Sequence, residues 1–290
     1  MNIHSNSNPT ILSVLAHPDD ESFGMGGTLA LYAQRGAAVH LICATRGEVG
    51  EVEPDYLEGF HSIADRRESE LCCAASILGL SGVHFLDYRD SGMPGSPDNQ
   101  HPRALFAAPI SEVTAQIVQY IRKLKPQVVL TFDPIGGYRH PDHIVVHQAT
   151  VRAFELAGDV NFSSNDLPPY QPQKLYFHTF PRGYMKILVR LIPLFGKDPR
   201  KWGRNEDIDL VSLVSEDFPV HAVINYKVVS ELKAQASACH ASQGGGGFSS
   251  GLSKWLVRLR GEKDTFMRAY PPPTGGRRER DLFEGVNHTD

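Results

Sequence analysis

The sequence predicts an α/β fold, a mostly parallel sheet flanked by helices and continued by a C-terminal extension. Two observations carry this reading. Short, apolar, β-branched runs alternate with longer amphipathic stretches through the first half, and Gly and Pro turn signals separate them. Strands joined through helices pair in parallel and are covered on both faces.

The elements follow in order. Thr10–Ala16 reads as a strand, Thr28–Arg35 as a helix and Ala38–Ala44 as a second strand, which together make one βαβ unit. Ala64, Leu71, Ala74, Ala75 and Leu78 recur near helical spacing and stop at Gly79, after which Val83–Leu86 is a short strand. Ile110, Val113, Ile117, Tyr120, Ile121 and Leu124 share one face of a helix over Pro109–Leu124. Gln127–Phe132 is strand-like before the turn at Pro134-Ile135-Gly136-Gly137, and Pro141–Leu156 is helical again.

Gly158–Gln171 reads as a polar, Pro-containing loop, Lys174–Thr179 and Phe218–Ile224 as further strands, and Tyr226–Cys239 as a helix with Val228, Val229 and Leu232 inward. Tyr184–Phe195 is the most apolar window, but Lys186, Arg190 and Pro193 interrupt it and it falls short of the ~20 residues of a membrane span. It reads as a buried helix or an apolar lid. The tract Gly244–Gly247 makes Gln243–Leu252 a mobile loop. No internal repeat is present. The expected organisation is a single domain over residues 1–290, with a core over about 10–156 and an extension over about 170–290 packing on the same sheet.

With 290 residues, 41% of them hydrophobic, the chain can bury a sizeable core. The net charge is −4 and no basic stripe is present, so nucleic acid is not an expected partner. Cys43, Cys72, Cys73 and Cys239 form no CxxC pair, and two of them are adjacent, which predicts reduced structural thiols rather than a disulfide framework. The start, MNIHSNSNP, has neither a basic nor an apolar segment of the secretory kind, so the expected compartment is cytoplasmic. A homo-oligomer is left open.

Two motifs carry chemistry. Leu15-Ala16-His17-Pro18-Asp19-Asp20-Glu21 lies just past the first strand, at the end of a sheet where open α/β folds bind ligands. His17 and Asp20 are three positions apart, so one turn can aim both at a point; equally, either aspartate could cap the next helix. Tyr138-Arg139-His140-Pro141-Asp142-His143 follows another strand, with proline suited to a first helical turn and His140 and His143 on one helical face. Two histidines and a carboxylate leave coordination positions open, as in catalytic zinc and in some ferrous iron sites. Two H-P-D-x motifs at the ends of two parallel strands are far harder to obtain by chance than one. Gly24-x-Gly26-Gly27 lacks dinucleotide-loop spacing and reads as close packing. His101, His147, His178, His221 and His240 have no second ligand at a sensible spacing and read as structural or exposed, with His240 the one that could line a pocket.

Over Thr10–Val151 the sequence resembles the PIG-L-type (LmbE-like) de-N-acetylases, zinc enzymes with a Rossmann-like sheet that deacylate N-acetylglucosamine conjugates. The resemblance implies metal ligands at His17, Asp20 and His143, a general base at Asp19, and at His140 an oxyanion stabiliser or acid toward the leaving amine. It also implies an orienting role for Asp142. Tyr88-Arg89-Asp90-Ser91-Gly92-Met93 and Asp133-Pro134-Ile135-Gly136-Gly137-Tyr138 are similar to segments of the mycothiol-biosynthesis branch, which acts on an N-acetylglucosaminyl-inositol. That likeness implies sugar contacts from Arg67 and Asp90, and Tyr138 at the scissile carbonyl.

The expected cofactor is Zn2+, with Fe2+ the alternative, and the expected partner is a small amino-sugar conjugate. Three rival readings are an amidase on a thiol conjugate or other acylated amino compound, a silent carbohydrate-binding module and a non-haem iron oxygenase. The module predicts loss of Asp19 or of a ligand, and neither is lost; the oxygenase favours a β-sandwich rather than βαβ order.

Overall fold

In the computed structural model, residues 8–180, 186, 189–201, 209–245 and 261–287 are described. The first five strands are β1 (Thr10–Leu15), β2 (Ala38–Thr45), β3 (Gly82–Tyr88), β4 (Val128–Phe132) and β5 (Lys174–Thr179). The extension adds β6 (Ala222–Asn225) and β7 (Lys263–Tyr270) to the same seven-stranded sheet, in the order β3-β2-β1-β4-β5-β7-β6. The β1–β2, β2–β3, β1–β4 and β4–β5 pairings are parallel, whereas β7 runs antiparallel to both β5 and β6. Chain order reverses between β1 and β4, and at such a reversal the loops beyond the strand ends part and leave a crevice.

The helices are α1 (Gly26–Gln34), α2 (Ile63–Leu78), α3 (Ile110–Leu124), α4 (Pro141–Leu156) and α5 (Ser230–Cys239). α5 packs against α1 and α2, while α3 packs against α4, giving a helical layer on each face of the sheet. Local chemistry sets their ends. The Ser62 side chain accepts the Asp65 amide at 3.1 Å to start α2, and Gly79, at φ 73°, ends it with a left-handed residue. Ile11, Leu12, Val14 and Leu15 of β1 are all essentially inaccessible, each contributing about 1.5–3 kcal/mol by burial. That makes β1 a rigid base for the turn that follows it.

Several expectations need correcting. Cys73 on α2 and Cys239 at the end of α5 form a disulfide, leaving Cys43 and Cys72 free. The two cysteines are 166 residues apart, so no local spacing signals the pair. Val228 is 82% exposed rather than inward, because the chain enters α5 through a tight turn, Lys227–Val229, that buries Val229 alone. The strand expected over Phe218–Ile224 is confined to Ala222–Asn225, and β7 was not expected at all.

The apolar window 184–195 lies partly outside the described residues; within them, Ile192–Phe195 is a short 3-10 turn with Leu194 77% exposed. The glycine loop beyond Gly245 also lies outside them. No helix among the described residues is long and apolar enough to cross a membrane. The Gly-rich start of α1 is close packing as expected: a Cβ on Gly27 would lie 2.2 Å from the Tyr226 ring.

Candidate active site

The two H-P-D motifs leave the carboxyl ends of β1 and β4, the adjacent strands that flank the reversal of strand order. After β1 the chain turns through His17–Asp20 into a short π-helical stretch, Glu21–Met25, before α1. Asp20 occupies the N-cap position there but makes no capping bond. Its Oδ2 instead accepts the backbone amides of His17 at 2.8 Å and Ala16 at 3.2 Å, which folds the carboxylate back over the strand end. After β4, Pro141 starts α4, and the His140 side chain caps the helix by accepting the Asp142 amide at its Nδ1.

Donor atoms of three side chains converge. His17 Nδ1 lies 3.2 Å from His143 Nε2, Asp20 Oδ1 is 3.3 Å from His143 Nε2, and Asp20 Oδ2 is 3.7 Å from His17 Nδ1. Ligand atoms on a tetrahedral zinc ion at ordinary bond lengths lie about 3.3–3.6 Å apart, so the set fits a divalent cation. His140 belongs to a wider imidazole cluster with His17 and His143, within 4.8 Å of one another. Its Nδ1 lone pair is taken by the Asp142 amide, however, and Asp20 is the better third donor.

The opposite edge of His17 meets carboxylates. Its Nε2 is 3.1 Å from Asp142 Oδ2 and 3.5 Å from Asp90 Oδ1. A carboxylate on Nε2 holds the proton there and frees Nδ1 for a metal, the usual arrangement behind a ligating histidine. Asp142 is itself fixed by Ser91, whose amide donates to Oδ2 at 2.9 Å and whose hydroxyl donates to Oδ1. Asp90 accepts the Gly92 amide at 2.8 Å.

Charge follows from this geometry. Burial opposes protonation of His17, but Asp90, Asp142 and Asp20 outweigh it and lift its pKa well above the ordinary histidine range. Burial, followed by the facing His17, pushes His140 and His143 well below that range. The Asp90 carboxyl, despite burial, is held well below the usual carboxylate range by His17 and the Gly92 amide. The crevice thus has an excess of carboxylates directed at one imidazole, an environment that attracts a cation.

Asp19 stands beside these donors at φ 124°, a conformation unusual for an L-residue. Arg67, 3% exposed, donates to Asp19 Oδ2 at 2.9 Å, to the Pro18 carbonyl at 2.6 Å and to the Gly47 carbonyl at 3.0 Å. Burial pushes the Asp19 carboxyl up to about 6 against the opposing pull of Arg67. The Tyr138 ring lies edge-on to His143, with centroids 4.9 Å apart, and to His140 at 5.8 Å. Burial and the nearby aspartates raise the Tyr138 phenol well above its ordinary range, so it stays a hydrogen-bond donor.

A model of the family described as PIG-L: GlcNAc-PI de-N-acetylase matches residues 12–154. A protein of Acidothermus cellulolyticus named 1D-myo-inositol 2-acetamido-2-deoxy-alpha-D-glucopyranoside deacetylase is 36% identical over 296 residues, covering 96% of this chain and 95% of that protein. The chain belongs to the PIG-L family. Among solved structures, the N,N'-diacetylchitobiose deacetylase from Pyrococcus horikoshii superposes with a TM-score of 0.61 at 21% identity, covering 90% of this chain and 84% of that one. The 4-carboxy-2-hydroxymuconate hydratase GalB from Pseudomonas putida KT2440 superposes with a TM-score of 0.60 at 18% identity, covering 93% and 99%. One scaffold therefore carries deacetylases and a hydratase, and the fold alone does not choose the reaction.

The fold brings the nine residues singled out from the sequence to the same end of the sheet, linked by the contacts above. Arg67 and Asp90 engage the protein's own Asp19, Gly92 and His17 there, a use the sequence did not suggest. Ser91 and Glu21 were missed as parts of the site, whereas His240 was singled out only as a histidine that could line a pocket. Ser91 follows Asp90 in a recognisable segment, and Glu21 completes the HPDDE run. His240, 219 residues from its partner Glu21, had no local signal.

Proposed function

We propose that this chain hydrolyses the N-acetyl amide of an N-acetylglucosaminyl-inositol conjugate, releasing acetate and the free amine. His17, Asp20 and His143 hold a divalent metal, Zn2+ or Fe2+, for this reaction. The supporting observation is the convergence of donor atoms from these three side chains beside Asp19, with Asp142 on the far nitrogen of His17. Such a cation polarises an amide carbonyl and makes a water molecule acidic near neutral pH.

The residues divide the remaining work. Asp19, steadied by Arg67, takes the proton from the attacking water and returns it to the departing nitrogen, so the amide gains one water and no proton is left over. His140 accepts a backbone amide at Nδ1, so its neutral ring carries hydrogen on Nε2 and donates to the developing oxyanion. Tyr138 is the second donor to that oxygen. Asp142 fixes the His17 tautomer through Nε2. Arg67 and Asp90, both buried, work through the protein's own groups: Arg67 holds Asp19, and Asp90 stands against Nε2 of His17.

Asp19→Asn tests this division of labour. The variant should keep a full complement of metal by elemental analysis and lose on the order of 10²–10⁴ in acetate release. Near-normal turnover would refute the role of Asp19.

A further inference from the structure

Residues 239–243 of the C-terminal extension pack against the turn that carries Asp19. Cys239 is bonded to Cys73 of α2. Ser242 donates to Glu70 of the same helix, from its amide at 2.9 Å and its hydroxyl at 2.7 Å. Gln243 donates to the Glu51 carbonyl at 3.2 Å. Between these anchors His240 is completely buried, with Nε2 2.7 Å from Glu21 Oε1. The Ser22 hydroxyl donates to that same oxygen at 2.5 Å, and the other oxygen, Glu21 Oε2, accepts the backbone amide of Asp19 at 3.0 Å.

The chain of contacts therefore runs from the extension, through His240 and Glu21, to the backbone of Asp19. That residue sits at φ 124°, and a non-glycine held in such a region costs about 1–3 kcal/mol and persists only where its surroundings over-determine it. The Asp19 carbonyl is also occupied, accepting the amides of Ser22 at 3.0 Å and Phe23 at 2.9 Å. Arg67 holds the side chain. The bond from Glu21 is what fixes the amide side, and Glu21 is oriented by His240. Packing alone does not account for a histidine at this position: its Nδ1 is buried with no partner among the described residues, at a cost of about 1–3 kcal/mol that an apolar residue would avoid.

We propose that His240 is a positioning residue for deacetylation: by clamping Glu21 it holds the Asp19 backbone in the conformation that aims its carboxylate into the crevice. The role rests on the reaction proposed above. It makes the C-terminal extension part of the catalytic apparatus, although His240 touches no reacting atom.

Three variants test it, assayed in the metal-loaded full chain with N-acetylglucosaminyl-inositol as substrate. His240→Ala removes the clamp, His240→Asn carries an amide too short to reach Glu21, and His240→Gln places its amide nitrogen about where Nε2 lies. The Ala and Asn variants should lose roughly 10–100-fold in kcat, the scale of a displaced catalytic group, with KM within about twofold of the parent and metal content intact. The Gln variant should recover to within a few-fold. If the Ala variant does not fold, the Asn and Gln pair still decides, since the two differ only in reach. Parent-like kcat in the Asn variant, equal impairment in Asn and Gln, or a parallel loss of metal would overturn the proposal.

A crystal structure of the Asn variant reads the same point without turnover. Asp19 should leave its positive φ, and an unmoved Asp19 would sink the idea even if the parent protein proved inactive on every acetylated sugar. Parent inactivity with a displaced Asp19 would instead count against the proposed reaction and leave the clamp standing.

Discussion

Asp142 offers the sharpest separation of charge from shape in this site. It is fully buried, and its two oxygens take three donors: the Ser91 amide, the Ser91 hydroxyl and His17 Nε2. In Asp142→Asn the amide oxygen can stand where Oδ2 stands, keeping the Ser91 amide and His17. The new NH2 then faces the Ser91 hydroxyl, which rotates to accept. The Ser91 amide and His17 keep their acceptor, while the Ser91 hydroxyl, which also accepts the Phe106 amide, loses its own acceptor together with the negative charge. A hydrogen bond to a charged group is worth about 1.5–3 kcal/mol net and a neutral one about 0.5–1.5 kcal/mol. The His17 contact should weaken by about 1–1.4 kcal/mol, or roughly five- to tenfold in metal affinity, the lower end of what outer carboxylates contribute.

Asp142→Ala goes further. It strands all three donors at about 1–3 kcal/mol each, so at least about 3 kcal/mol of stability should go, with metal affinity down about 100-fold. Competition with a chromogenic chelator measures the affinities, and denaturant titration of the metal-free proteins measures the stabilities. An unchanged zinc affinity in Asp142→Asn, or an Ala variant as stable as the Asn variant, would refute this reasoning.

Two further outcomes follow from the geometry. Gly136 has φ 66°, and a Cβ there would lie 2.8 Å from the Cβ of His143 and 2.9 Å from the Ile144 amide. Gly136→Ala should therefore displace His143, one of the proposed metal ligands, and cost at least about 1–3 kcal/mol; full metal occupancy at parental stability would contradict that. The Cys73–Cys239 bond closes a long loop, and Cys73→Ser should cost about 2–5 kcal/mol. Thiol titration of the unreduced, denatured protein should find only Cys43 and Cys72, and four reactive thiols would exclude the bond.

Much of the first half was legible because its central strands are buried on both faces and leave nearly continuous apolar runs, as Val128–Phe132 does with Thr131 its one polar residue. The two H-P-D motifs were legible because each is local: His17 with Asp20, and His140 with His143, lie within one turn of chain. The second half hid for converse reasons. β7, Lys-Asp-Thr-Phe-Met-Arg-Ala-Tyr, mixes buried and half-exposed positions with three charges, so neither continuous apolarity nor strict alternation marks it. Arg67 was expected to contact the sugar; only the fold brings Asp19, Pro18 and Gly47 around it. Long-range pairs such as Cys73 with Cys239, and Glu21 with His240, leave no imprint on neighbouring residues.

Acetate release is the most direct measurement of the central claim. Protein stripped of metal by a chelator, then reloaded with zinc or ferrous iron, is assayed on N-acetylglucosaminyl-inositol and on free N-acetylglucosamine. Release should depend on reloading and be much faster for the inositol conjugate. Equal release from the stripped protein, or none from either compound after reloading, would contradict the account.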